Sequence, residues 1–247
     1  MKQPAAKPVP PDSSNQKPLL PELVELTLQA CDVAQQAVAY AIHGLLSNTP
    51  EMFAEAEKCE QELDSLDREL DEAVSHAVGV VPPEQRRDLL SCVKLMTDLE
   101  RIGDLMAIFA GRARAVGRHL DAQDVRQLAE MAARLKEMLV GARQSYVTRN
   151  LNMAIAVLKA DAEVDRLRNL LFHRHLEEER GAAAGESIQV LFMTQLLERA
   201  GDHAKNLAEE ICHLVSGHTL RHVLRSNGKS REQMLLDWLK RHHALDE

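Results

Sequence analysis

Aromatic side chains make up only 3% of the 247 residues, and 11 glycines and 9 prolines are few for this length. Sandwiches and barrels draw on aromatic residues and closely spaced Gly/Pro turns, so the shortage argues against a strand-built fold. Cysteine is scarce and scattered: Cys31, Cys59, Cys92 and Cys212 form no CxxC pair. That excludes a zinc knuckle or a dithiol redox motif and suits reduced thiols packed in helices of a cytosolic protein. Basic charge is outnumbered, with 30 Lys and Arg against 38 Asp and Glu and a net charge of −8. A nucleic-acid binder needs a basic face, so no nucleic-acid partner is expected. No stretch approaches the roughly eighteen consecutive apolar residues of a membrane span, and the first residues lack the apolar core of a signal peptide. The sequence predicts a soluble protein that is not exported. Nucleophile elbow, P-loop and GxGxxG are all missing, which leaves no nucleotide site or hydrolase machinery to build on.

What is present is helix-forming. Apolar residues are 45% of the chain, enough for a substantial core, and Ala, Leu, Glu, Gln and Arg are abundant. Residues 1–18 are proline-rich and poor in large apolar side chains, which predicts a flexible tail. From Leu19 apolar residues recur at i, i+3, i+4 and i+7, which predicts six helices over 21–47, 50–79, 83–117, 121–147, 150–180 and 185–216. Short punctuation separates them, such as Ser47-Asn48-Thr49-Pro50 and Thr148-Arg149-Asn150. Long helices joined by such short turns run antiparallel to their neighbours. Beyond Gly217, residues 218–247 form a polar extension ending in a short amphipathic segment with Met234, Leu235, Trp238 and Leu239.

The third and sixth helices share a phrase. Leu99-Glu100-Arg101-Ile102-Gly103-Asp104 and Leu197-Glu198-Arg199-Ala200-Gly201-Asp202 have Glu-Arg-x-Gly-Asp in common, 98 residues apart from Glu100 to Glu198. An upstream pair repeats as well: Glu60-Gln61-Glu62-Leu63-Asp64 matches Asp161-Ala162-Glu163-Val164-Asp165, with 101 residues between Asp64 and Asp165. A change in loop length absorbs the difference. The chain therefore reads as two copies of a three-helix unit, over 19–117 and 118–217.

Each copy carries two acidic pairs at i and i+4 on different helices: Glu60 with Asp64 and Glu100 with Asp104, then Asp161 with Asp165 and Glu198 with Asp202. Residues four apart share a helix face, where like charges normally destabilise. If the paired helices face each other, four carboxylates meet, a state made tolerable by a multivalent cation or by shared protons. Taking these eight residues from the 38 acidic ones leaves 30, equal to the basic count. Gly103 and Gly201 each cost a helix about 1 kcal/mol relative to alanine, and the repeated cost suggests close approach of a neighbouring helix or a cation. The competing reading is a set of solvated acidic faces answered by Arg101, Arg199 and other neighbours.

Both phrases resemble the E(D)xxxD signature of the PhoU family of phosphate-transport accessory and regulatory proteins. The likeness spans about 200 residues, from Leu20 to Gly217, and includes Asp202-His203-Ala204-Lys205-Asn206-Leu207-Ala208-Glu209. It implies an all-α fold of two tandem, pseudo-symmetric three-helix bundles with multinuclear metal clusters on acidic helix faces. It also implies a cytoplasmic regulator without catalysis that restrains phosphate-starvation signalling. The implied partners are the ATPase subunit of a phosphate ABC transporter and a phosphate-sensing histidine kinase, with membrane association only through them. All-carboxylate sites favour hard divalent or trivalent ions such as iron, manganese or magnesium. Long helical faces commonly pair, so a homodimer is expected. The first copy has Leu105-Met106 where the second has His203-Ala204, so a histidine assists a cluster only in the second if at all.

Other signals are thinner. Glu210-Ile211-Cys212-His213 is an ExxH, but a di-iron bundle enzyme, the alternative function, needs two such motifs and two further glutamates. His173, His175, His242 and His243 fit helix-end and tail positions better than a metal tract. Trp238 and its neighbours fit a helix docking on its own protein better than a membrane anchor.

Overall fold

The computed structural model describes residues 19–116, 119–177 and 184–217. The tail over 1–18 and the extension over 218–247, with Trp238, His242 and His243, lie outside them. The apolar periodicity resolves into α1 (Leu19–Ser47), α2 (Pro50–Ala77), α3 (Arg86–Val116), α4 (Ala122–Thr148), α5 (Leu151–Glu177) and α6 (Ala184–Ser216). Five of the six predicted starts lie within two residues of the observed ones. The exception is α3, because Pro83, Glu84 and Gln85 form a separate 3-10 turn before it. Pro21 is tolerated because the first turn of a helix needs no amide donor there.

Two corners show the duplication in the backbone. Asn48 (φ 50°) and Arg149 (φ 52°) both take the left-handed conformation that ends a helix, 101 positions apart. Each corner closes with the same long backbone bond, from the Thr49 amide to the Gly44 carbonyl (3.2 Å) and from the Asn150 amide to the Ser145 carbonyl (3.1 Å). Asp121 then caps α4 by accepting from the Gln123 amide at 2.7 Å, and Asn150 caps α5 by accepting from the Met153 amide at 3.1 Å.

Helices α1, α2 and α3 pack mutually, and so do α4, α5 and α6; α1 also meets α4, and α3 meets α6. The α3–α6 pair is antiparallel, since Ser91 reaches Glu210, Asp98 reaches His203 and Arg112 reaches Gln189. The two three-helix bundles are thus related by a pseudo-twofold axis that runs between equivalent helices. Their interiors merge into one core. Leu99, Ile102, Met106 and Phe109 of α3 and Met193, Leu197, Ala200 and Ala204 of α6 have no exposed surface. Full burial of each large apolar side chain stabilises by roughly 1.5–3 kcal/mol. No described helix is long and apolar enough to cross a membrane.

Candidate metal centres

Gly103 and Gly201 are where helices cross. A Cβ built on Gly103 would lie 2.5 Å from Leu63 Cδ1, and one on Gly201 would lie 3.2 Å from Val164 Cγ1. Leu63 and Val164 are equivalent residues of α2 and α5, buried at the two crossings. The neighbouring helix therefore uses the space that each missing side chain leaves. Leu63 directly precedes Asp64, and Gly103 directly precedes Asp104, so this close approach brings the acidic pairs of α2 and α3 to one side of the crossing. Val164 before Asp165 and Gly201 before Asp202 do the same for α5 and α6.

The charges register this. Burial, then Asp64 and Asp104, push the Glu60 carboxyl above its ordinary pKa. Burial, then Asp104, push Glu100 up, with smaller contributions from Asp67 and Asp64 against the pull of Arg101. In the second half burial raises Asp161 against Lys205, with Asp165 and Asp202 adding to the rise. Glu198 is raised by burial and by Asp202, Asp165 and Asp161, against Arg168. In the first copy Glu60 and Glu100 each feel Asp64 and Asp104, and in the second Glu198 feels all three of Asp161, Asp165 and Asp202. The surfaces differ: Glu60, Asp64, Glu100 and Asp104 are half-buried, whereas Asp161 is buried and Asp165 and Asp202 are exposed.

Three residues that the repeat did not flag complete the picture. Asp67 lies one turn beyond Asp64 and is itself raised by burial, Asp71 and Asp64, so α2 carries an acidic ladder of Glu60, Asp64, Asp67 and Asp71. In α5 the position equivalent to Asp67 is Arg168, whose guanidinium sits 3.4 Å from Glu198 Oε1. The Lys205 ammonium donates to Asp161 Oδ2, and the position equivalent to Lys205 in α3 is Ala107. Spacing on the helix face could have identified Asp67; the cations were hidden because they are present in one copy only. Arg101 spans Glu100 (3.4 Å) and Asp104 (3.2 Å) on the first crossing from an exposed position.

The histidines are engaged elsewhere. His203 Nδ1 is 2.7 Å from Asp98 Oδ1 on α3, which also accepts from Asn206 at 3.2 Å. Glu210 of the ExxH accepts from Ser91 (2.8 Å) and Lys94 (2.9 Å), with His213 Nδ1 at 3.6 Å. Both sets lace the α3–α6 seam. His175 is buried against Asp124 at 2.9 Å, where Arg174 joins the same carboxylate. Among the described residues no three His, Cys, Asp or Glu side chains stand in a ready-made metal cage. What each crossing offers is a set of hard oxygen donors on two helices, half-buried at the first and running from buried Asp161 to exposed Asp165 and Asp202 at the second, a donor type that suits hard cations.

The family model described as "PhoU domain" matches residues 27–113 and 128–211. The chain is 27% identical over 203 residues to the phosphate-specific transport system accessory protein PhoU homolog of Clostridium acetobutylicum, covering 80% of this chain and 93% of that protein. It is 29% identical over 197 residues to the homolog of the same name from Rhizobium meliloti, covering 75% and 80%. The crystal structure of PhoU from Pseudomonas aeruginosa superposes with a TM-score of 0.73 at 23% identity, covering 81% of this chain and 98% of that one. The phosphate transport system regulatory protein PhoU from Streptococcus pneumoniae gives 0.74 at 20% identity, covering 81% and 96%. At those identities the two structures speak for the fold.

Proposed function

Because this chain belongs to the PhoU family, whose model matches both of its halves, we propose that it is a metal-binding, non-catalytic regulator of phosphate uptake. In this reading it restrains phosphate-starvation signalling in the cytoplasm through contact with two partners. One is the ATPase subunit of a phosphate ABC transporter and the other is a phosphate-sensing histidine kinase. The names of the curated relatives supply the phosphate context. The observation that carries the metal part is the duplicated crossing at Gly103 and Gly201, where burial and neighbouring acids raise Glu60, Glu100, Asp161 and Glu198.

The mechanism follows from what the residues can do. Glu60 and Asp64 on α2 with Glu100 and Asp104 on α3 would hold a divalent or trivalent ion at the first crossing. Asp161, Asp165, Glu198 and Asp202 would do so at the second. A bound hard cation would add positive charge to that of Arg101 at the first crossing and of Lys205 and Arg168 at the second, and would tie two helices together. Iron, manganese and magnesium suit the donors. The helices then present fixed outer faces to protein partners, and exposed Leu170, Ile188 and Phe192 are of the kind that a partner or a second copy covers. An acidic chain is repelled by a duplex, which favours protein contact over DNA binding.

Deleting the gene, with any paralogue, should switch on phosphate-starvation genes in phosphate-rich medium. A wild-type copy should restore repression, and a copy altered at Asp104 and Asp202 should restore it poorly. Normal repression in the deletion strain would overturn the regulatory reading. Light scattering at micromolar concentration should give a dimer; a strict monomer would remove self-association from the account.

A further inference from the structure

Helix α6 ends on Gly217, whose φ of 78° and amide bond to the His213 carbonyl (2.9 Å) turn the chain out of the helix. The turn lies against the start of α3, since a Cβ on Gly217 would stand 3.2 Å from Arg87 Nη1. The surface at this end of the molecule is apolar. Val78 and Val80, in the corner between α2 and α3, are 66% and 64% exposed, and Leu90, one turn along α3 from Arg87, is 56% exposed. Single exposed apolar side chains are ordinary, but three gathered at one corner mark a surface that something covers.

Residues 218–247, which follow Gly217, match that corner in two ways. Met234, Leu235, Trp238 and Leu239 recur at helical spacing, and so short an apolar stripe holds a helix in water only with a surface to pack on. The stretch leading to it carries Arg221, Arg225, Lys229 and Arg231 and no acid. Beside the corner, the second half of α2 carries Glu62, Asp64, Asp67, Glu69, Asp71 and Glu72 against Arg68 as its one Lys or Arg. At about 3.3 Å per residue an extended stretch of this length spans the corner from Gly217 with chain to spare. We propose that the corner of Val78, Val80 and Leu90 is the docking surface for the chain's own C-terminal segment. Met234, Leu235, Trp238 and Leu239 cover the apolar patch, and the basic stretch before them lies along the acidic half of α2. The metal reading is not needed for this, because the acids of α2 act here as surface charge. Contact between exposed charges is screened by salt, whereas the apolar contact is not.

Trp238 is the single tryptophan and reports its own surroundings in the full chain. In dilute protein its emission should be blue-shifted and its quenching by acrylamide several-fold weaker than after unfolding in urea. Val80→Ser with Leu90→Gln should move the emission to the red and raise quenching to the unfolded level, while circular dichroism shows the helices kept. Leu170→Gln with Ile188→Ser, at exposed positions towards the opposite end, should change neither. Arg221→Gln with Arg225→Gln should weaken the protection at low salt and remove most of its salt dependence. A short bis-maleimide should link Val78→Cys to Leu239→Cys within one chain and fail to link Leu170→Cys to Leu239→Cys. A Trp238 as exposed in the folded chain as in urea, or as protected in Val80→Ser with Leu90→Gln as in the wild type, would overturn the proposal. So would protection lost on dilution, which marks a second copy, or gained only with anionic lipid vesicles, which marks a membrane. Protection indifferent to the arginines and to salt would strike the acidic half of α2 from the docking surface.

Discussion

Gly103 and Leu63 are the residues on which the first centre turns. A methyl on Gly103 meets Leu63 Cδ1 at 2.5 Å inside a packed core, whereas one on Gly201 meets Val164 Cγ1 at 3.2 Å. Overpacking costs typically about 1–3 kcal/mol, set against about 1 kcal/mol of helix propensity gained from alanine. Gly103→Ala should therefore lower the melting temperature and loosen the α2–α3 crossing, while Gly201→Ala should be near neutral. Thermal melts followed by circular dichroism check this, and equal effects at both sites would contradict it. The cysteines make a second residue-scale prediction. Burial pushes Cys31 and Cys212 up to about 12 and Cys59 up to about 11, and raises Cys92 as well. All four are buried neutral thiols and should react with a chromogenic disulfide at pH 8 only slowly until urea unfolds the chain. A thiol that reacts at the rate of free cysteine would mark an opening that the core does not show.

At the scale of a helix pair, α2 with α3 and α5 with α6 are elements carrying charge that their own burial penalises. Glu60, Asp67, Glu100, Asp161 and Glu198 all have raised carboxyl pKa values. Between their ordinary values near 4 and their higher folded values the folded chain binds more protons than the unfolded one. Their favourable contribution is complete below the ordinary values and is lost as pH rises through the folded ones. Metal-free protein should therefore be strained at these crossings at pH 7. Glu100→Gln should raise the melting temperature in chelator at pH 7, and the gain should shrink as pH falls towards 4. A gain that does not change with pH would mean that Glu100 carries no such charge penalty.

Much of this scale was legible in the chain. Periodicity and punctuation marked the helices because an amphipathic stripe and a Pro, Asn or Gly stop are local properties. The start of α3 was misplaced because Pro83-Glu84-Gln85 suits a 3-10 turn as well as a first helical turn. The eight acids were legible as a repeat, and the glycines as a repeated cost. Lys205 and Arg168 were not, since a search for likeness passes over residues present in one copy only, and Asp67 was legible only from its spacing after Asp64.

For the whole molecule, a pseudo-twofold axis runs between α1 and α4 and between α3 and α6, and the core is continuous across it. Which helix faced which was not in the periodicity, because a stripe shows that a face is buried and not by what. Polar pairs fix the register of the two halves: Arg143 with Asp32 (2.7 Å), Lys94 with Glu210 (2.9 Å) and Asp98 with His203 (2.7 Å). The polar pairs across α3 and α6 place His203 and the ExxH on the seam between the two halves. The acidic crossings lie one in each half, at α2–α3 and at α5–α6, so a substitution at one should leave the other in place.

The most direct measurement is the metal content per chain of three proteins by elemental analysis: wild type, Glu100→Ala with Asp104→Ala, and Glu198→Ala with Asp202→Ala. Two separate centres on one duplicated scaffold predict that each double variant loses part of the metal while keeping its helical content. Metal content unchanged in both variants would contradict the account at its centre.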